Sequence, residues 1–234
     1  MGIKCYGSIP HLPGSRMGPG DHHCHKGQEL ICTTKVRDKH DKIIVQQKYD
    51  GSCVGVYREG DEIIPLGRAG YTAESSPYEQ HKLFHNWAIE RKQTFITVLE
   101  PGERLVGEWL AQAHGTRYDI NTLFGPFIAF DIIRGTERLC FDVFIERIVC
   151  GHGWQTPPNI LYTPQVVGYG AMSVEEAMEK VCNPWAKDPI EGVVYRVERM
   201  GKVDFLAKYV RPDKVDGSYL PEVSGKEAIW NWRP

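Results

Sequence analysis

The chain has 234 residues, of which 41% are hydrophobic and 25% charged, a length and composition that suit one globular domain or one domain with a small appendage. That balance excludes a disordered chain, and no apolar run reaches the length of a membrane span. The formal net charge of -2 excludes a surface that traps polyanions everywhere, so contact with nucleic acid requires a local basic face.

The N-terminus, Met1 to Tyr6, lacks the apolar core of a signal peptide, and Tyr6 stands where a myristoylation site needs Ser or Thr. The seven cysteines are odd in number and contain no Cys-x-x-Cys pair. Reduced thiols in a soluble, cytoplasmic protein are the reading that fits. Residues 1–41 are loop-like, with recurring Gly, Pro and Ser. Within them Asp21-His22-His23-Cys24-His25 has metal-ligand chemistry, but a structural zinc site needs a second, separated pair, so the cluster is read as a polar loop. Lys35, Arg37, Lys39 and Lys42, interleaved with Asp38 and Asp41, read as a solvated face that could touch phosphates.

Residues 43–66 pattern as two or three short strands. Two of them, 43–47 and 53–58, flank Lys48-Tyr49-Asp50-Gly51-Ser52. A lysine at the end of an apolar strand is partly desolvated, which lowers its pKa and makes the amine a nucleophile. Gly51 permits a tight bend and close approach of backbone to a ligand. Asp-Gly is also a hairpin pair, so these residues taken alone read first as a turn, and only the rest of the chain favours a nucleophile. Residues 77–92 predict a helix whose Leu83, Phe84, Trp87 and Ala88 form a core stripe. Strands are expected at 104–110 and 127–133, and a third at 138–144 after a turn at Gly135-Thr136. Glu108 lies inside an otherwise apolar strand, where a charge should be paired or functional. Residues 151–170 read as a long connection. Ser173-Val174-Glu175-Glu176 has the form of a capping box and predicts a helix over 174–182. Strands at 192–198 and 203–209 follow as a hairpin around Met200-Gly201. The composite is an α+β fold with prominent antiparallel strands and inserted helices.

Six stretches then occur in a fixed order: Lys48-Tyr49-Asp50-Gly51, Arg68-Ala69-Gly70, Gly107-Glu108-Trp109, Phe130-Asp131-Ile132, Glu191-Gly192-Val193-Val194 and Phe205-Leu206-Ala207-Lys208-Tyr209. Singly they are weak signals. As an ordered set spanning residues 48–208 the chain resembles the covalent nucleotidyltransferase superfamily of RNA ligases, DNA ligases and mRNA capping enzymes. Within it the chain looks most like the RNA ligase 2 group. The resemblance implies an adenylyltransferase (ATP-grasp-like ligase) domain, with ATP and Mg²⁺ (or Mn²⁺) as cofactors. It implies that a lysine takes AMP from ATP, passes it to a 5′-phosphate end, and that a 3′-hydroxyl then displaces AMP.

By the same resemblance Lys48 is the nucleophile, with Asp50 and Gly51 completing its motif. Gln47 faces adenine, Arg68 contacts ribose and the terminal phosphate, and Glu108 binds the ribose hydroxyls. Phe130 stacks on the base, Glu191 holds the metal, and Lys208 neutralises the α-phosphate. Asp131 is expected to be either buried or near the metal. Three positions depart from the pattern. Gln47 replaces a Glu, which a Gln carbonyl can still imitate as an acceptor. Cys53 stands where RNA ligases often carry Asn and DNA ligases and capping enzymes Arg. The family's two lysines stand one residue apart, but Val210 occupies the position of the second after Lys208, with Arg211 as a partial substitute.

Only 209–234 follow the last motif, too few residues for an oligonucleotide-binding (OB-fold) barrel, so a single nucleotidyltransferase domain over 1–234 is expected: 1–41 loop-rich, 42–211 bearing the motifs, 212–234 a tail. An ATP-dependent RNA ligase acting on nicks or broken RNA is the leading reading, with a protein partner possible in place of the barrel. A small DNA or mixed-polynucleotide ligase, a nucleotide- or RNA-binding module without turnover, and a zinc-dependent RNA-binding protein on His22, His23, Cys24 and His25 are the rivals.

Overall fold

A computed structural model of the chain describes residues 4–120, 125–150 and 161–234. In chain order its elements are α1 (Lys26–Thr33), β1 (Asp41–Lys48), β2 (Ser52–Glu59), β3 (Glu62–Gly67), α2 (Glu79–Glu90), α3 (Lys92–Val98), β4 (Glu103–Trp109), β5 (Phe127–Arg134), β6 (Glu137–Arg138), α4 (Phe141–Cys150), β7 (Val166–Tyr169), α5 (Val174–Lys180), β8 (Gly192–Arg199), β9 (Lys202–Val210) and α6 (Pro221–Ser224). The strands form a four-stranded sheet in the order β7-β1-β8-β9 and a five-stranded sheet in the order β3-β2-β4-β5-β6. All their pairings are antiparallel. The expected α+β architecture is the observed one.

Alternation along the strands decides what each face meets. In the four-stranded sheet the odd positions Ile43, Val45, Val193, Tyr195, Val197 and Ala207 are buried together with Cys32 of α1 and Ala177 of α5. The even positions, among them Gln46, Lys48, Val194 and Lys208, face the other way, into a cavity. In the five-stranded sheet Val54, Val56, Leu105, Trp109 and Phe127 pack against Phe84 and Trp87 of α2, Phe95 of α3 and Phe144 of α4. Its opposite face presents Cys53, Glu108, Ile128 and Phe130 to the same cavity. Helices thus cover the outer faces, and the two inner faces enclose a cleft.

The segment Lys48–Ser52 is not a hairpin, because β1 and β2 belong to different sheets. It is the crossover that carries the chain from one wall of the cleft to the other. Gly51 is required there by backbone rather than by a ligand: a Cβ would lie 2.4 Å from the Trp109 carbonyl oxygen. Gly192 is under the same constraint, with a Cβ at 1.8 Å from the Tyr209 carbonyl oxygen. The hairpin at Met200-Gly201 is present, both residues having positive φ (49° and 75°), as a two-residue turn between twisted strands demands. The Ser173 hydroxyl caps α5 by accepting from the Glu176 N–H at 3.2 Å.

Other expectations fail for physical reasons. The strand expected at 138–144 is two residues of β6 followed by α4. Phe141, Phe144 and Ile148 recur at helical spacing and are all buried in the main core, each contributing about 1.5–3 kcal/mol. Residues 1–41 are not all loop, since α1 lies within them, its start held by the Gln28 side chain accepting from the His25 N–H at 3.1 Å. The predicted helix at 77–92 is followed directly by α3, and the connection at 151–170 includes β7, its residues 151–160 lying outside the described residues. The reading of Met1 to Tyr6 likewise falls partly outside them. The tail joins the fold: the Asn231 and Trp232 N–H groups donate to the Ala111 carbonyl, and Trp230 and Trp232 pack on the main core. No helix among the described residues is long and apolar enough to cross a membrane.

Candidate active site between the two sheets

The cavity between the sheets has a volume of about 450 Å³, in the range of small-molecule sites. Gln47, Lys48, Asp50, Gly51, Cys53, Arg68, Glu108, Phe130, Asp131, Glu191 and Lys208 all reach it, so eleven of the twelve positions singled out above meet at one place. Arg211 does not. It turns to Asp213 at 2.6 Å and its Nε is buried without a partner.

Lys48 ends β1, half-buried, with its ammonium 2.6 Å from Glu191 Oε2. Burial pushes its pKa down, but Glu191, Glu108 and Asp50 pull harder in the other direction, and the net shift is upward. The desolvated, easily deprotonated lysine expected from sequence is therefore not what the unliganded protein holds. Glu108 shows the converse. Burial, with Glu191 and Asp50 nearby, outweighs Lys48 and the Gly51 N–H bond at 3.0 Å and raises its carboxyl to about 7. The Lys208 ammonium is pushed below its ordinary value by burial and by Lys48. Arg68 is exposed, and its guanidinium makes no hydrogen bond or ion pair among the described residues. Phe130 is held edge-on by Tyr6 at 5.0 Å between ring centroids. Asp131 is fully buried, accepting from Tyr6 Oη at 2.7 Å and Arg196 Nη1 at 2.6 Å.

Several residues at the site are absent from the sequence reading. Gln46 shares the inner face with Lys48, pairs in register with Val194, and its Nε2 is buried with no partner. Gln47, one residue on, alternates to the other side of β1 yet still borders the cavity, and both its amide atoms are buried and unpartnered. The period-2 rule applied from Lys48 would have selected Gln46. Lys214 is buried beneath the site, 2.9 Å from Asp50 Oδ1 and hydrogen-bonded to Glu191 Oε1. Nothing in its local sequence marks it. The N-terminal segment also contributes, through Tyr6, Ile9, His11, Arg16 and Asp21.

The residues present fit a nucleotide and a divalent ion. An unpartnered buried amide, Gln46, suits the hydrogen-bonding edge of a base. Phe130 from one sheet and Val194 from the other offer apolar contact to its faces, and Arg68 and Lys208 offer phosphate ligands. The Glu191 carboxylate is a hard oxygen donor. By contrast, the cluster at 21–25 has other work: Asp21 pairs with His11 at 3.0 Å, and His25 leads into α1. Arg37 and Lys42 of the basic run are engaged by Asp41 and Asp142.

Solved structures share this fold. An RNA ligase variant from Naegleria gruberi with ATP and manganese is 19% identical, with a TM-score of 0.52 over 96% of this chain and 62% of that one. A second variant of that ligase, also with ATP and manganese, is 20% identical, with a TM-score of 0.52 over 86% of this chain and 59% of that one. An archaeal ATP-dependent RNA ligase is 15% identical, with a TM-score of 0.50 over 89% of this chain and 48% of that one. The chain thus spans less than two thirds of the length of each. No curated protein sequence matches it. Residues 41–210, well over half of the chain and the whole run from β1 to β9, match the RNA ligase family, and the chain belongs to that family.

Proposed function

We propose that this protein is an ATP-dependent RNA ligase whose nucleotidyltransferase domain joins 5′-phosphate and 3′-hydroxyl RNA ends through AMP bonded to Lys48. The observation that carries this is the meeting of Lys48, Arg68, Glu108, Phe130, Glu191 and Lys208 in one cavity of a family member. In the first step Lys48 Nζ attacks the α-phosphorus of ATP. The N–P bond forms as the bond to pyrophosphate breaks. The amine must lose a proton before it attacks, and its ion pair with Glu191 Oε2 at 2.6 Å, which favours the ammonium, must open for that to happen. Lys208 and Arg68 face the phosphate oxygens, where positioning and charge neutralisation provide most of the catalysis. Glu108 and Gln46 orient the nucleoside, and Phe130 stacks on the base, worth roughly 1–3 kcal/mol. A bound Mg²⁺ or Mn²⁺, held through Glu191, supplies further neutralisation at the phosphates.

The biological setting that fits is repair of nicked or broken RNA in the cytoplasm, with a partner protein assisting end binding. Incubation with radiolabelled ATP and Mg²⁺ tests the reading: label is expected on the protein and is expected to vanish in Lys48→Ala. An unlabelled wild-type protein that still binds ATP would convert the reading to a nucleotide-binding module. Sealing of matched RNA and DNA nicks then tests the substrate. Faster sealing of RNA is expected, and equal rates would favour a mixed-polynucleotide ligase.

A further inference from the structure

Residues 6–21 precede the family match, yet they supply a wall of the cavity. Residues 10–16 run along β9 and are bonded to it. The Lys208 N–H donates to Pro10 O at 2.9 Å, the Leu12 N–H to Lys208 O at 2.8 Å, and the Arg16 N–H to Val210 O at 2.9 Å. The Val210 N–H donates to Ser15 Oγ at 2.9 Å. Inside the loop the buried His11 ring spans Ser15 Oγ at 2.6 Å and the Asp21 carboxylate at 3.0 Å. This loop is fixed before any ligand arrives. Along its inner face β9 offers a cation at Lys208 and then an apolar residue at Val210. The loop places Arg16 beside that apolar position, and its side chain lines the same cavity.

Of the other cations nearby, Arg68 is unengaged among the described residues and Lys48 is held by Glu191. Arg196 donates to Asp131, Glu198 and the Leu139 carbonyl. Lys214 is held by Asp50 and Glu191, and Arg211 by Asp213. Arg16 pairs instead with Asp216 on the rim, a carboxylate that is 56% exposed. Water can replace the guanidinium there at little cost, whereas phosphate oxygens accept its planar fork in stronger, charge-assisted bonds.

We propose that Arg16 is a phosphate-binding residue of this cavity, sharing the phosphate chain of the bound nucleotide with Lys208. The proposal rests on the reading of the cavity as a nucleotide site. Because the loop is already ordered, little ordering entropy is lost when phosphate binds.

The test is calorimetric binding of adenosine, AMP and ATP with Mg²⁺ to a Lys48→Ala protein, which holds nucleotide without consuming it. Adding Arg16→Gln is expected to weaken ATP at least tenfold and leave adenosine unchanged, with Arg16→Lys recovering part of the loss. If AMP weakens equally, Arg16 contacts the α-phosphate. If only ATP weakens, it contacts the outer phosphates. Asp216→Asn, which removes the competing acid, is expected to bind ATP at least as tightly as its parent. Unchanged ATP affinity in Arg16→Gln, in a parent that prefers ATP to adenosine, overturns the proposal and leaves the nucleotide site standing. Equal loss of adenosine and ATP overturns it as well, because the loop would then be only structural. A parent that binds none of the three overturns both the nucleotide site and the role of Arg16.

Discussion

The cleft holds two buried ionic clusters, and they differ in how completely their members are satisfied. In the first, Arg196 of β8 donates to Glu198 at 2.7 Å, to Asp131 of β5 at 2.6 Å and to the Leu139 carbonyl. Asp131 also takes Tyr6 and Arg138, and Glu198 also accepts the Phe141 N–H at 2.6 Å. Every group is partnered, and the cluster ties the two sheets and the start of α4 together. In the second, Lys48, Glu191, Lys214 and Asp50 are joined, while Gln46 Nε2 is left without a partner and the Arg68 guanidinium is unengaged among the described residues. The first cluster has no capacity left for a ligand, and the second has. A buried charge network that is complete holds a fold, and one that is incomplete is where chemistry can enter.

Lys48→Ala gives the sharpest test of that division. It is expected to abolish nucleotide labelling, a loss of more than about a thousandfold because the nucleophile itself is gone, while urea denaturation shows little change. Glu191 keeps Lys214 as a partner in that variant. A strongly destabilised Lys48→Ala would mean that the second cluster is structural too. Arg196→Met is expected to do the reverse and cost the fold about 3–5 kcal/mol by urea denaturation, since Asp131 and Glu198 lose their buried cation. Lys214→Met is expected to fall at or below the low end of that range. Asp50 retains the Gly115 N–H at 2.8 Å, and Glu191 retains Lys48. Equal costs for Arg196→Met and Lys214→Met would erase the distinction between the clusters.

Glu108 sharpens the comparison through pH. Its carboxyl is raised to about 7 in the fold, mainly by burial, against about 4.3 in an unfolded chain. Between those values the native state binds the extra proton, so stability falls as pH rises. The stabilisation is fully present below about pH 4 and lost on passing pH 7, on the order of 3 kcal/mol in total. Thermal melts from pH 5 to 8, without nucleotide or metal, are expected to show the decline, and Glu108→Gln to flatten it. A wild-type protein whose stability is level over this range would place Glu108 among the satisfied groups.

The fold class, the order of the motifs and their convergence were legible in the sequence because a nucleophile, its turn and its acids need particular residue types at particular places. Glu108 announced itself as a charge in an apolar strand. What escaped depends on long-range packing. Lys214 meets Asp50 from 164 positions away through a buried contact that no local pattern encodes. The loop at 11–21 becomes part of the site only by pairing with β9. The strand expected at 138–144 fails because Arg138, Cys140 and Asp142 alternate with Leu139, Phe141 and Val143, and six residues are too few to separate the two periods. The helical spacing emerges only when Ile145 and Ile148 are included. Gln47 enters the reading by its place before Lys48 in the motif, whereas alternation from Lys48 points to Gln46.

The smallest effect concerns the basic run before β1. From sequence it could have contacted RNA phosphates, yet Lys42 donates to both oxygens of Asp142 at 2.6 Å, and Arg37 is taken by Asp41 and Asp204. Lys42→Ala breaks one exposed pair, so stability is expected to change by less than about 1 kcal/mol. A lysine that neutralises an RNA phosphate leaves a larger mark. Its removal reduces the slope of log affinity against log salt by roughly 0.7–0.9. The expected result for Lys42→Ala is an unchanged slope. Should Lys42→Ala flatten the slope, the RNA path passes the start of β1, and the salt bridge to Asp142 is merely where the ammonium rests when no phosphate is present.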